Sequence, residues 1–122
     1  MSFKLINRTS VIVTPKQPFV DWLNGIPDPN FKVDGELYTV EGLKGHCTVY
    51  LIPDFDHVPD MEEFFERFKE EIFEEQLGSW YGDEAHWPKI RTAKVFGEWF
   101  DCQIDCMTYD LAGDAPLERD QD

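Results

Sequence analysis

The sequence predicts an α+β fold: a two-layer sandwich whose small, mixed three-stranded sheet carries helices mainly on one face, in the order β-α-β-α-α-β. Three observations lead there. Short β-branched or alternating runs (RTSVIVT, CTVYLI and CQIDC) are separated by stretches in which apolar residues recur at helical spacing. The chain has 122 residues, within the usual size of one domain. Aromatic residues make up 15% of it, enough to fill one core although 30% of the residues are charged. The expected organisation is a single domain over 1–111 followed by a disordered acidic tail over 112–122, where Leu117 is the one bulky hydrophobe.

The first strand is expected over Arg8 to Thr14, extended backwards through Phe3, Leu5 and Ile6, because β-branched residues dominate until Pro15. Phe19, Val20, Trp22 and Leu23 then fall at helical spacing before Gly25, which gives a short helix over Lys16 to Asn24. Between residues 31 and 45 two readings stand. Asp34-Gly35 suits a tight hairpin, and Thr39 suits the cap of one helical turn ending near Gly45. Cys47 to Ile52 is a nearly unbroken apolar run stopped by Pro53, the pattern of a central strand covered on both faces.

Asp60 and Glu63 have capping-box spacing, and Met61, Phe65, Phe68 and Ile72 follow on one helical stripe, predicting the longest helix from about Asp60 to Leu77 with Gly78 as its stop. Phe73, Leu77 and Trp80 lie round from that stripe, so the later turns need a second packing neighbour. Thr92 is placed to cap a helix through Val95, Phe96 and Trp99. Cys102, Ile104 and Cys106 then alternate with Gln103 and Asp105 as a third strand, apolar on one face. Cys47, Cys102 and Cys106 read as reduced core thiols; along a strand the last two stand about 13 Å apart, too far to share one metal ion.

Net charge is −14, from 25 acids and 11 bases. Residues 1–50 hold five of each, so the whole excess lies in the second half. Such a field repels nucleic acid and anionic membranes and attracts a basic partner, though charge of this kind also serves solubility. The start MSFKLINRTS has no long apolar run, and no uncharged 18-residue stretch occurs, so neither signal peptide nor membrane span is expected and the predicted location is the cytoplasm.

The densest acidic segment runs from Asp54 to Glu75, with ten acids against Arg67 and Lys69. Glu63 and Arg67 form a favourable i,i+4 pair, but Glu62/Glu66, Glu66/Glu70, Glu70/Glu74 and Glu71/Glu75 are like-charge pairs costing a few tenths of a kcal/mol each. Stability alone favours fewer of them, which makes Glu62, Glu66, Glu70 and Glu74 candidates for a docking face; the ordinary alternative is a solvated helix surface. The loop SWYGDEAHWP brings Trp80, Tyr81, Asp83, His86 and Trp87 close in sequence, either as a binding loop or as a clamp whose aromatic rings pin it to the core. Asp54, Asp56 and His57, just past the second strand, offer oxygen and imidazole ligands to a metal, but turn and cap roles explain them equally well. No CxxC, HExxH, GxSxG or glycine-rich phosphate loop is present.

The segments SVIVTPKQPFVDWLN, TVYLIPDF and EIFEEQLGSWY, with DExxWP after them, resemble a family of small acidic bacterial proteins over about Thr9 to Leu111. That resemblance implies one intracellular bacterial domain and carries no activity, cofactor or catalytic residue. The functional expectation is therefore a non-catalytic interaction protein of inhibitor, immunity or adaptor type, binding a basic protein through the acidic helix and the Trp80 to Trp87 loop. The alternative is a small hydrolase-like or ligand-binding protein using His57 or His86 with nearby carboxylates in a cleft beside the sheet. No metal or cofactor is assigned.

Overall fold

A computed structural model describes residues 4–31 and 36–120. Strand β1, Lys4–Pro15, is followed by helix α1, Gln17–Gly25, the one-turn helix α2, Val40–Leu43, and strand β2, Thr48–Pro53. Helices α3, Val58–Glu66, and α4, Lys69–Trp80, then precede a 3₁₀ turn at Glu84–His86, helix α5, Ala93–Trp99, and strand β3, Phe100–Asp110. This is the expected α+β class and strand–helix alternation, with the one-turn helix α2 and the 3₁₀ turn added and the expected long helix divided into α3 and α4. The Asp34-Gly35 turn lies outside the described residues, whereas the Thr39 cap forms: its hydroxyl accepts from the Gly42 N–H at 2.9 Å.

Three strands pair in the order β2-β1-β3 among the described residues, and both pairings are antiparallel. Two expectations are corrected here: the sheet is not mixed, and β2 lies at an edge. The long strand β1 is central, because its 12 residues reach β2 over Arg8 to Val13 and β3 along nearly their whole length. The apolar run of β2 misleads because only alternate residues are covered. Ile52 is buried, whereas Val49 and Leu51 are about half exposed on the opposite face. Register shifts between Leu5 and Thr9 and between Ser10 and Ile12 bend the β1–β3 ribbon.

Val11, Val13, Ile52 and Phe100 supply the sheet's inner layer of the core, and Phe19, Leu23, Leu43, Phe65, Phe73, Leu77 and Phe96 supply the helical layer. Helix α4 finds the second neighbour required of it: Phe73 meets Phe96, Trp99 and Phe100 at ring distances of 6.0, 5.3 and 5.6 Å.

The single long helix expected from Asp60 is two helices. The chain breaks at Arg67 and Phe68, where Phe68 takes φ −105° and ψ −3° and its N–H bonds back to Phe65 in a tighter turn. The break lets α3 bury Met61 and Phe65 while α4 re-aims to bury Ile72, Phe73, Gln76 and Leu77. It leaves Phe68 39% exposed and removes the Glu63–Arg67 pair; Arg67 lies instead over the Phe64 ring, 5.3 Å from its centre. The Asp60/Glu63 capping box is not used either. Helix α3 begins earlier, at Val58, with Pro59 in its first turn and no side-chain cap. Gly78 does not stop α4, which continues to Trp80.

Thr92 caps α5 as expected, accepting from the Val95 N–H at 3.3 Å. Cys102 is partly buried, but Cys47 is exposed and is no core thiol; the Cys106 side chain lies outside the described residues. Beyond β3 the chain turns at Asp110 to Ala115, with Gly113 at φ 68° where a side chain is disfavoured, and Asp114 meets the Lys4 ammonium at 3.3 Å. No helix among the described residues is long and apolar enough to cross a membrane.

Candidate functional site

Helix α4 presents acids outward because its apolar side is committed inward. Gln76, 3% exposed, sits on that inner side and donates to the Thr48 hydroxyl at 2.8 Å and the Tyr50 hydroxyl at 3.0 Å. These bonds tie α4 to β2 and hold the neighbouring acids beside the sheet edge. Burial of Tyr50 pushes its phenol pKa up, against the Gln76 hydrogen bond; the Glu75 charge raises it further.

Two grooves meet along this ridge. The first, of about 390 Å³, runs between β2 and the helices, with Tyr50, Ile52, Phe65, Phe68 and Ile72 as apolar lining and Glu71 and Glu75 on the rim. The second, of about 500 Å³, lies between α4 and the loop and is lined by Glu71, Glu74, Glu75, Gly78, Ser79 and Trp87. Glu71 and Glu75 belong to both, so the surface is continuous from the sheet edge to the Trp87 ring.

Of the acids singled out in the sequence, only Glu74 lines this surface. It pairs with the Arg91 Nε at 3.2 Å, and Arg91 also lies 5.7 Å from the centre of the Trp87 ring and donates to the Pro88 carbonyl at 2.8 Å. Glu66 pairs with Lys69 at 2.8 Å. Glu62 and Glu70 are exposed, form no ion pair among the described residues and line neither groove. The helix break divides the four, with Glu62 and Glu66 on α3 and Glu70 and Glu74 on α4.

The aromatic loop is mostly a clamp. Trp80 points inward, its ring 6.3 Å from Phe19, 5.8 Å from Tyr38 and 5.4 Å from His46. The Trp87 indole donates to the Tyr81 carbonyl and the Trp22 indole donates to the His86 carbonyl, both at 2.7 Å. Asp83 accepts from the Ala85 N–H at 3.0 Å, capping the 3₁₀ turn. Tyr81 donates its phenol proton to Asp28 at 2.9 Å. The Asn30 N–H and then the Tyr81 hydroxyl lower the Asp28 pKa, while the bond to Asp28 raises that of Tyr81. Trp87 is the loop residue that reaches the acidic surface.

The histidines do not assemble. His57 is an exposed residue at the start of α3, His86 stands 3.9 Å from Asp83, and Asp54 accepts from the Thr9 hydroxyl at 2.9 Å. No group of three or more His, Cys, Asp or Glu side chains among the described residues is placed to hold a metal ion. Sequence reasoning missed Glu71, Glu75 and the groove of Tyr50 and Phe68. The available signal was the like-charge Glu71/Glu75 pair; the groove was hidden by the central placement expected for β2. Comparison with family models, curated proteins and solved structures returned no match.

Proposed function

We propose that the chain is a non-catalytic interaction protein of inhibitor, immunity or adaptor type that acts in the cytoplasm and binds a basic protein through the outer side of α4. The observation that carries this reading is the continuous surface bearing Glu71, Glu74 and Glu75, in which only Glu74 has an ion-pair partner among the described residues. Two adjacent, uncompensated carboxylates beside apolar lining suit a cation better than they suit the isolated fold. The excess negative charge of the second half of the chain extends the attraction over about 8 Å at physiological salt.

The test is affinity capture with the full chain at about 50 mM and about 500 mM salt, beside a variant carrying E70K, E71K, E74K and E75K. The expected result is a basic protein retained at low salt, released at high salt and lost on charge reversal. Retention that ignores both salt and charge reversal overturns the proposal.

A further inference from the structure

Strand β2 has a neighbour on one side only, so the backbone N–H and C=O groups along its outer side have no ladder partner among the described residues. The groove beside it is lined by four consecutive residues of that strand, Tyr50 to Pro53. A groove on one face of a strand touches alternate residues; one that touches four in a row borders the strand's backbone edge. The edge is also straight, since the β1–β2 register has no shift from Arg8 to Val13, whereas the β3 side is bulged.

Resting on the basic-partner reading above, we propose that the partner enters as an extended segment that pairs with β2 as a fourth strand, with arginines at alternate positions facing inward. The length of β2 sets the segment at about six residues, close to 20 Å. Alternate side chains of the added strand point towards the helical layer. There an arginine stem crosses Phe68, 39% exposed, and its guanidinium reaches Glu71 and Glu75. The same surface already shows that contact within the chain, where Arg67 covers the Phe64 ring. The intervening side chains point to the other face, beside the half-exposed Val49 and Leu51, and suit β-branched residues.

Charge excludes the two nearest competitors. A second copy would bring Glu71 and Glu75 against another chain of net charge −14, and this chain's own end beyond Ala112 is acidic.

The probe is a labelled, end-capped peptide Arg-Val-Arg-Val-Arg-Val-Arg, titrated into the full chain. It is compared with a peptide of the same composition in which valines and arginines are segregated, and with the alternating peptide N-methylated at alternate residues to block strand pairing. The expected result is binding by the alternating peptide, at least tenfold weaker binding by the other two, and a comparable loss with E71K/E75K. Protection of β2 amides from hydrogen exchange should accompany binding. Equal affinity for all three peptides, lost with E71K/E75K, overturns strand addition and leaves the acidic-surface reading standing. Absence of binding by every peptide at low salt overturns both.

Discussion

Cys102 shows how position alone sets a residue's chemistry. Its side chain lies on the inner face of β3, packed against the core, and desolvation pushes its thiol up to about 11 from an ordinary value near 9.0, with the positive charge of Lys69 opposing. At pH 8 about one Cys102 in a thousand is then thiolate, the reactive form. Cys47, just before β2, is exposed. Iodoacetamide at pH 8 should therefore label Cys47 at least tenfold faster than Cys102. Mass spectrometry after cleavage on the N-terminal side of aspartate reads Cys102 and Cys106 on separate fragments, because Asp101 and Asp105 precede them. Equal labelling rates would remove Cys102 from the inner face. A raised folded-state pKa favours the neutral thiol, so its contribution to stability is complete below pH 9 and declines as pH rises towards 11. A C102V variant should lack that component of alkaline unfolding. Both thiols read alike in sequence, since each stands in a short strand-like segment with apolar residues two positions away, Val49 for Cys47 and Phe100 and Ile104 for Cys102; what separates them is strand pairing, which no local pattern reports.

Among the elements, α4 gives the sharpest contrast between pattern and outcome. Capping residues were legible where the capping group acts on its own neighbours: Thr39 and Thr92 both accept from the third residue beyond them. Gly78 reads as a stop because glycine so often follows a helix, yet α4 runs two residues further. What glycine supplies is room: a methyl group there would lie 3.4 Å from the Trp87 ring, an ordinary contact. Gly78→Ala should therefore be tolerated and should raise stability by roughly 0.5–1 kcal/mol through helix propensity. A larger Gly78→Leu should lift Trp87 and lower the melting temperature. Thermal unfolding of both variants checks this, and destabilisation by alanine would restore the terminating role. The break at Phe68 was invisible for a different reason. Met61, Phe65, Phe68 and Ile72 keep helical spacing straight through it, and only the demand of two separate core regions bends the chain there. The same concealment affected the candidate site, whose Glu74 and Trp87 come from segments visible in sequence but whose groove depends on where β2 pairs.

At the scale of the whole molecule, the layer architecture was legible because it follows from hydrophobic periodicity, and sheet order was not, because it depends on which strand is long enough to serve two neighbours. Charge acts at this scale as well, and it separates two effects of salt. With a net charge of −14 the folded chain repels itself, and the three like-charge pairs that stay within one helix, Glu62/Glu66 on α3 and Glu70/Glu74 and Glu71/Glu75 on α4, add locally to that cost. The exposed pairs Lys4–Asp114 and Lys44–Glu41 offset little, since solvent screens them. Raising salt from about 20 mM to about 500 mM shortens the screening length to a few ångströms. The melting temperature of the isolated protein should consequently rise by about 2–5 °C, equivalent to about 1 kcal/mol. Its affinity for a basic partner should fall over the same range, because the carboxylates that repel one another in the free chain attract the partner's cations. The E70K/E71K/E74K/E75K variant should show both slopes flattened together. Stability that falls with added salt would mean that attractive pairs dominate the fold, and the acidic ridge would then be a structural network rather than a surface held ready for binding.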